Sequence, residues 1–137
     1  MPNSSPPDTD PLRELLVDAS KVDRQAIADT LKERIAIDPT SGRLVLLPGY
    51  QALDARRKVL AILLARKAAV LLEVVDSEAL ANKEITELSG LASGTAAPSV
   101  RSLKELRLVG QGEDRAYFIP NARLLDAIRF ITVGGAP

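Results

Sequence analysis

Residues 79–119 read ALANKEITELSGLASGTAAPSVRSLKELRLVGQGEDRAYFI, and the spacing in this stretch decides the fold. Ile85, Leu88 and Leu91 form an apolar set that Gly90 interrupts, which places a tight turn after a short helix. Asn82 stands where an N-cap is expected, and Glu84 in the first turn suits the positive end of the helix dipole. A second helix follows the turn 89–92, with Ser93 or Thr95 as its cap. Its inner face is Ala96, Val100, Leu103 and then Leu106 or Arg107, the recurrence a 3.6-residue helix requires. Pro98 is tolerated only in a first turn, which favours Thr95 as the cap. Leu108 and Val109 lead into the turn-rich GQGED of 110–114, and Arg115 to Ile119 read as a return strand.

The runs EITELSGLASGT and VRSLKELRLV resemble the helix-turn-helix and first wing strand of the winged helix-turn-helix superfamily. That resemblance covers about the C-terminal half. It implies an α+β fold, mostly α, with a winged helix-turn-helix carried by residues 51–132. It also implies binding of double-stranded DNA in transcription regulation or genome maintenance, often as a dimer. The same scaffold serves as a non-catalytic protein-protein interaction module, so a protein partner stays open as the second reading.

Working outward, residues 1–10 are polar and proline-rich and read as a disordered tail. Residues 11–50 read as an N-terminal extension of helices and a β-hairpin. Asp10 and Pro11 start a helix with Leu12, Leu15, Leu16 and Ala19 on one side. A second helix from about Asp23 to Arg34 turns Ile27, Ala28, Leu31 and Ile35 inward. Ile35 to Ile37 and Arg43 to Leu47 make a hairpin around DPTSG, with Gly42 supplying the positive φ and Pro48 and Gly49 ending the second strand. Both hairpin faces are apolar, so each is expected to be covered. The extension is expected to pack on a long central helix from about Gln51 to Val75, whose apolar residues occupy more than one face. Arg56, Arg57, Lys58, Arg66 and Lys67 read as solvated stripes or as a phosphate-facing patch. A last helix from Ala122 to Ile131 carries Leu124, Leu125, Ile128 and Ile131, a face that suits its own core and a dimer partner equally. Residues 133–137 read as a frayed tail.

Composition narrows the chemistry. The 137 residues are 46% hydrophobic, enough for one core, and their formal charge is zero, so any nucleic-acid surface must come from local clustering. Histidine and cysteine are both absent, which removes the usual zinc clusters, thiolates and imidazole bases. With no nucleophile elbow or phosphate loop either, the expectation is a protein that is not an enzyme, with no metal and no cofactor. No signal peptide or membrane span is expected, and a cytoplasmic location is the default. The expected DNA-binding residues are Thr95, Ser99, Arg101, Ser102, Lys104 and Arg115. Two features weigh against sequence reading: Pro98 in the second helix, and Glu113 and Asp114 at the hairpin tip.

Overall fold

A computed structural model describes residues 11–15 and 23–133 as an α+β, mostly helical structure with two small hairpins. The expectations for residues 1–10, for Leu16 and Ala19, and for 134–137 lie outside the described residues. Pro11–Leu15 is a single 3-10 turn with Leu12 and Leu15 exposed. Helix α1 (Arg24–Leu31) starts on Asp23, whose carboxylate accepts from the Ala26 amide. It is shorter than the expected run to Arg34 because Glu33 takes φ 67°, and the turn closes with Arg34 N–H donating to Leu31 C=O at 2.8 Å. Ile27, Leu31 and Ile35 are buried as expected, but Ala28 is exposed.

Strands β1 (Ile35–Ile37) and β2 (Leu44–Leu46) pair antiparallel, Ala36 opposite Val45. Gly42 at φ 76° closes the loop, and the Ser41 hydroxyl and amide both donate to Asp38 at 2.7 Å, holding that carboxyl below its usual value. Ile35, Leu44 and Leu46 pack on the core, and half-buried Ile37 shares their face by register. The other face is not covered: Ala36 is exposed and Val45 is 47% exposed. Pro48 and Gly49 do not simply end the strand; they open a four-residue helix, α2 (Pro48–Gln51), with Pro48 in its first turn, where a missing amide costs nothing.

The long central helix is interrupted. Asp54 accepts from the Arg57 amide at 3.0 Å and so starts a fresh helix, α3 (Ala55–Leu71), after α2 and a short break. Its end falls before Val75 because Glu73 adopts φ 61°, and Val74 N–H and Glu73 N–H return to Ala69 and Val70 C=O. Val59 through Ala65 are all buried, so this helix is apolar all round its middle. It packs against α1, β1 and the three later helices, and its burial organises a continuous core.

Helix α4 (Asn82–Ser89) begins one residue earlier than expected: Ala81 is the cap position, and Asn82 is the first helical residue. An alanine has no acceptor, so the start is held from the other side, Ala81 N–H donating to Glu84 Oε1 at 3.0 Å. Gly90 ends α4 at φ 77°. Helix α5 (Ser93–Glu105) starts on Ala92 rather than Ser93 or Thr95, so Pro98 lies inside the helix rather than in its first turn. Ala96, Val100 and Leu103 are buried against α3 and α4. Leu106 is 48% exposed and leaves the expected inner face, because the helix ends there. Arg107 at φ 64° lets Leu108 N–H reach Leu103 C=O and its own N–H reach Lys104 C=O.

The second hairpin pairs β3 (Gly110–Gln111) with β4 (Tyr117–Phe118), shorter than expected because Arg115 takes φ 59° and belongs to the turn. Tyr117 also exchanges backbone hydrogen bonds with Leu80, just ahead of α4, at 2.9 and 2.7 Å. A 3-10 turn (Asn121–Arg123) then leads into α6 (Leu124–Val133), which runs two residues beyond the expected Ile131. Leu124, Ala127 and Ile131 are buried against α1 and α3, while Leu125 is 62% exposed. The expected stripe therefore serves this chain's own core, apart from Leu125.

Candidate nucleic-acid interface

Helix α5 is the element on which the functional expectation rests. Its outward face carries Gly94, Thr95, Pro98, Arg101, Lys104 and Glu105, all exposed. The N-terminal half of that face is small: Ser93, Gly94, Thr95, Ala97 and Pro98 offer no long side chain. Arg101 is exposed near the middle and has no hydrogen-bond or ion-pair partner among the described residues. It is the one side chain on the face with bidentate reach.

Of the six expected contact residues, Thr95, Arg101 and Arg115 are exposed. Lys104 is exposed too, but its ammonium donates to Gln111 Oε1 at 2.7 Å, tying α5 to β3. Ser99 is buried at 7% exposure, and its hydroxyl donates to Thr95 C=O in its own helix. That back-bond satisfies the hydroxyl locally, so Ser99 is not available to a partner. Ser102 is half-buried and accepts from Arg56 Nη1 at 3.2 Å. Arg107 is a cation that the expected set omitted; it stands exposed just past α5 with its side chain unengaged. Between Ser93 and Arg115 the cations Arg101, Lys104, Arg107 and Arg115 face the anions Glu105, Glu113 and Asp114, all exposed.

The cations of α3 are neither solvated stripes nor a phosphate patch. Arg56 lies 5.1 Å from the Phe130 ring centre. Arg57 donates through Nε and Nη2 to Ile131 C=O, at 2.9 and 2.7 Å, and so caps the end of α6. Lys58 lies 5.5 Å from the centre of the Tyr50 ring. Arg66 donates to Ser77 C=O. Lys67 is 3% exposed and reaches both Glu78 Oε1 and Asn121 Oδ1 at 2.7 Å. A buried ammonium needs such company, because an unpaired one costs several kcal/mol, of the order of 3–5 kcal/mol.

Two features escaped the reading of the sequence. Tyr50 is fully buried and donates to Ser89 C=O at 2.7 Å, which joins α2 to the last residue of α4 across 39 positions. An apolar groove of about 730 Å³ opens between α1, β1 and the last turn of α3. The only early sign of the groove was the apolar position Ala28 on a face expected to be covered. Among the described residues no helix is long and apolar enough to cross a membrane. No protein family model, no curated protein and no solved structure matches the chain.

Proposed function

We propose that the chain is a winged helix-turn-helix protein that binds duplex DNA, as a cytoplasmic transcription regulator or genome-maintenance factor. Two features support the fold: the order helix, bridge residue, helix, turn, helix, hairpin from α3 to β4, and the packing of α3, α4 and α5 on one another. The observation that carries the function is Arg101, unengaged and central on the exposed face of α5. Thr95 is exposed at the start of α5, Lys104 and Arg107 lie towards the hairpin, and Arg115 lies in its turn. The small residues of the first half of α5 let the helix approach a phosphate backbone closely, and phosphate contact carries affinity more than sequence choice. With Ser99 and Ser102 engaged internally, the reading is of a weakly selective binder.

Fluorescence anisotropy of a labelled duplex of about 25 base pairs tests this; each phosphate contact contributes a log-log salt slope of about −0.9. Arg101→Ala and Arg115→Ala should each weaken binding and flatten that slope by about one contact. Binding that ignores both salt and these substitutions removes the proposal.

The groove favours a second reading, a protein-interaction module docking through α1 and β1. That reading expects no salt-dependent retardation of DNA and a loss of partner binding when Ala28 is enlarged. A homodimer through α6 has less behind it, because Leu124 and Ile131 are buried, Ile128 packs on the core, and only Leu125 of the expected apolar face stays exposed.

A further inference from the structure

One wall of the apolar groove is strand β1, whose Ile35 and Ile37 line it together with Ile27, Leu31 and Leu71. The backbone of those two isoleucines is the second observation. Leu47 N–H donates to Arg34 C=O and Asp38 N–H donates to Arg43 C=O, both at 2.8 Å. With Ala36 opposite Val45, an antiparallel ladder then bonds across to β2 through Arg34, Ala36 and Asp38 alone. The N–H and C=O of Ile35 and of Ile37 point the other way, off the outer edge of β1. Among the described residues these four groups meet no protein partner, although Ile35 is buried and Ile37 half-buried. Buried backbone groups are nearly always paired, so an open edge here is a site for another strand. The edge of β2 is open as well, but the groove is lined by β1 and not by β2.

Charge at the groove says what that strand carries. Arg24 and Lys32 are exposed on its rim near the two ends of α1. Lys32 has no side-chain partner among the described residues, and the contact of Arg24 Nη2 with Leu71 C=O is long, at 3.4 Å. The one anion on the rim, Asp29, already accepts from Gln25 at 2.9 Å. Eight residues of helix separate the two cations by about 12 Å, the length of about four residues of strand.

We propose that the groove binds an extended segment of a partner protein that adds to β1 as a third strand, with the pattern acidic, apolar, any residue, apolar, acidic. Its two apolar residues stand opposite Ile35 and Ile37. Residues opposite one another share a face of a sheet, so they lie on the groove side, against Ile27, Leu31 and Leu71. The acidic residues, four apart, meet Arg24 and Lys32. This is independent of DNA binding; it rests on the protein-interaction reading and gives that reading a ligand class.

Phage-displayed random peptides of about 12 residues, panned on the full-length protein, should enrich apolar residues two apart between acidic ones. A synthetic copy of the most enriched peptide should slow hydrogen exchange at the Ile35 and Ile37 amides about tenfold. Methylating the peptide's backbone nitrogens one at a time should abolish binding at alternate positions only. Lys32→Glu, at an exposed position, should weaken binding about fivefold. Enriched apolar residues three and four apart would leave the protein-interaction reading standing and overturn the strand. No enrichment, protection away from β1, methylation effects without a period of two, or a Lys32→Glu protein that binds as wild type would each overturn the proposal. So would a dimer in sedimentation that protects the same two amides, because the occupant would then be a second copy.

Discussion

Replacing Tyr50 by phenylalanine tests the joint between α2 and the helix pair. The ring is fully buried, its hydroxyl donates to Ser89 C=O at 2.7 Å, and Lys58 lies beside the ring. Ser89 is the last residue of α4, and its carbonyl is one of those that a helix end leaves without an intrahelical donor. Tyr50→Phe keeps the ring and deletes that donor, so at pH 7 it should cost about 1 kcal/mol, rising towards about 3 if the carbonyl stays dry. Burial also pushes the Tyr50 hydroxyl well above its ordinary value of 10.0, because the phenolate would have to form without water. Between pH 10 and the raised folded value the native state holds one more proton than the unfolded chain. Stability is therefore full below pH 10 and falls above it, by about 1.4 kcal/mol per pH unit. Phenylalanine has no such loss. In urea melts followed by circular dichroism the wild type should lead at pH 7, and the two curves should meet near pH 11, where the alkaline loss of about 1.4 kcal/mol offsets the hydrogen bond. The comparison cancels the titration of lysines common to both proteins. A Phe variant as stable as wild type at pH 7, or one that declines in parallel with it up to pH 11, would refute the joint.

Two further outcomes follow from single contacts. Pro98 sits inside α5 with Gly94 four residues before it, so the helix lacks one amide; Pro98→Ala should stabilise the fold by about 1–3 kcal/mol in urea melts, and a neutral or negative result would mean the helix bends to suit the ring. Lys67→Met should cost about 1–3 kcal/mol, less than a fully buried pair because the Glu78 side chain is 32% exposed. Adding Glu78→Gln to Lys67→Met should recover part of that loss in the same melts, and no recovery would assign the cost to the Asn121 contact instead.

The legible part of the fold is the part held by near neighbours. Gly90 takes a left-handed φ, and Ile85, Val100 and Leu103 are buried as their spacing requires, because a turn residue and a 3.6-residue recurrence are local facts. Leu106 failed because its backbone neighbour Arg107 adopts a left-handed φ without being glycine, and nothing in the sequence announces that. The break before α3 was hidden in the same way: Leu53 and Val59 both continue an apolar run, and only the Asp54 side chain, turned back onto the Arg57 amide, ends one helix and starts the next. Ser99 and Ser102 sit at plausible contact spacing, but a serine in a helix can satisfy itself on the carbonyl four residues back, and Ser99 does. Arg57 finds Ile131 74 residues away and Lys67 finds Asn121 54 residues away, contacts that depend on tertiary packing no pattern in the chain encodes locally.

Those distant partners limit the salt dependence that the proposed DNA binding can show. Arg56, Arg57, Arg66 and Lys67 cross-link α3 to α5, to α6 and to the segment before α4, and a cation held on a hydroxyl, carbonyl or carboxylate inside the fold is drawn away from any phosphate. The charge left for a partner around α5 and the second hairpin is Arg101, Lys104, Arg107 and Arg115, with Glu105, Glu113 and Asp114 beside it. If all four cations met phosphates, the log-log salt slope would reach only about −3.6, and each nearby carboxylate pulls it towards zero. A measured slope much steeper than that would require two copies on one duplex, or cations from outside these elements. A slope near −2 would match what a single copy of this surface can supply, and it would place the affinity in the contact of α5 with the backbone rather than with the bases.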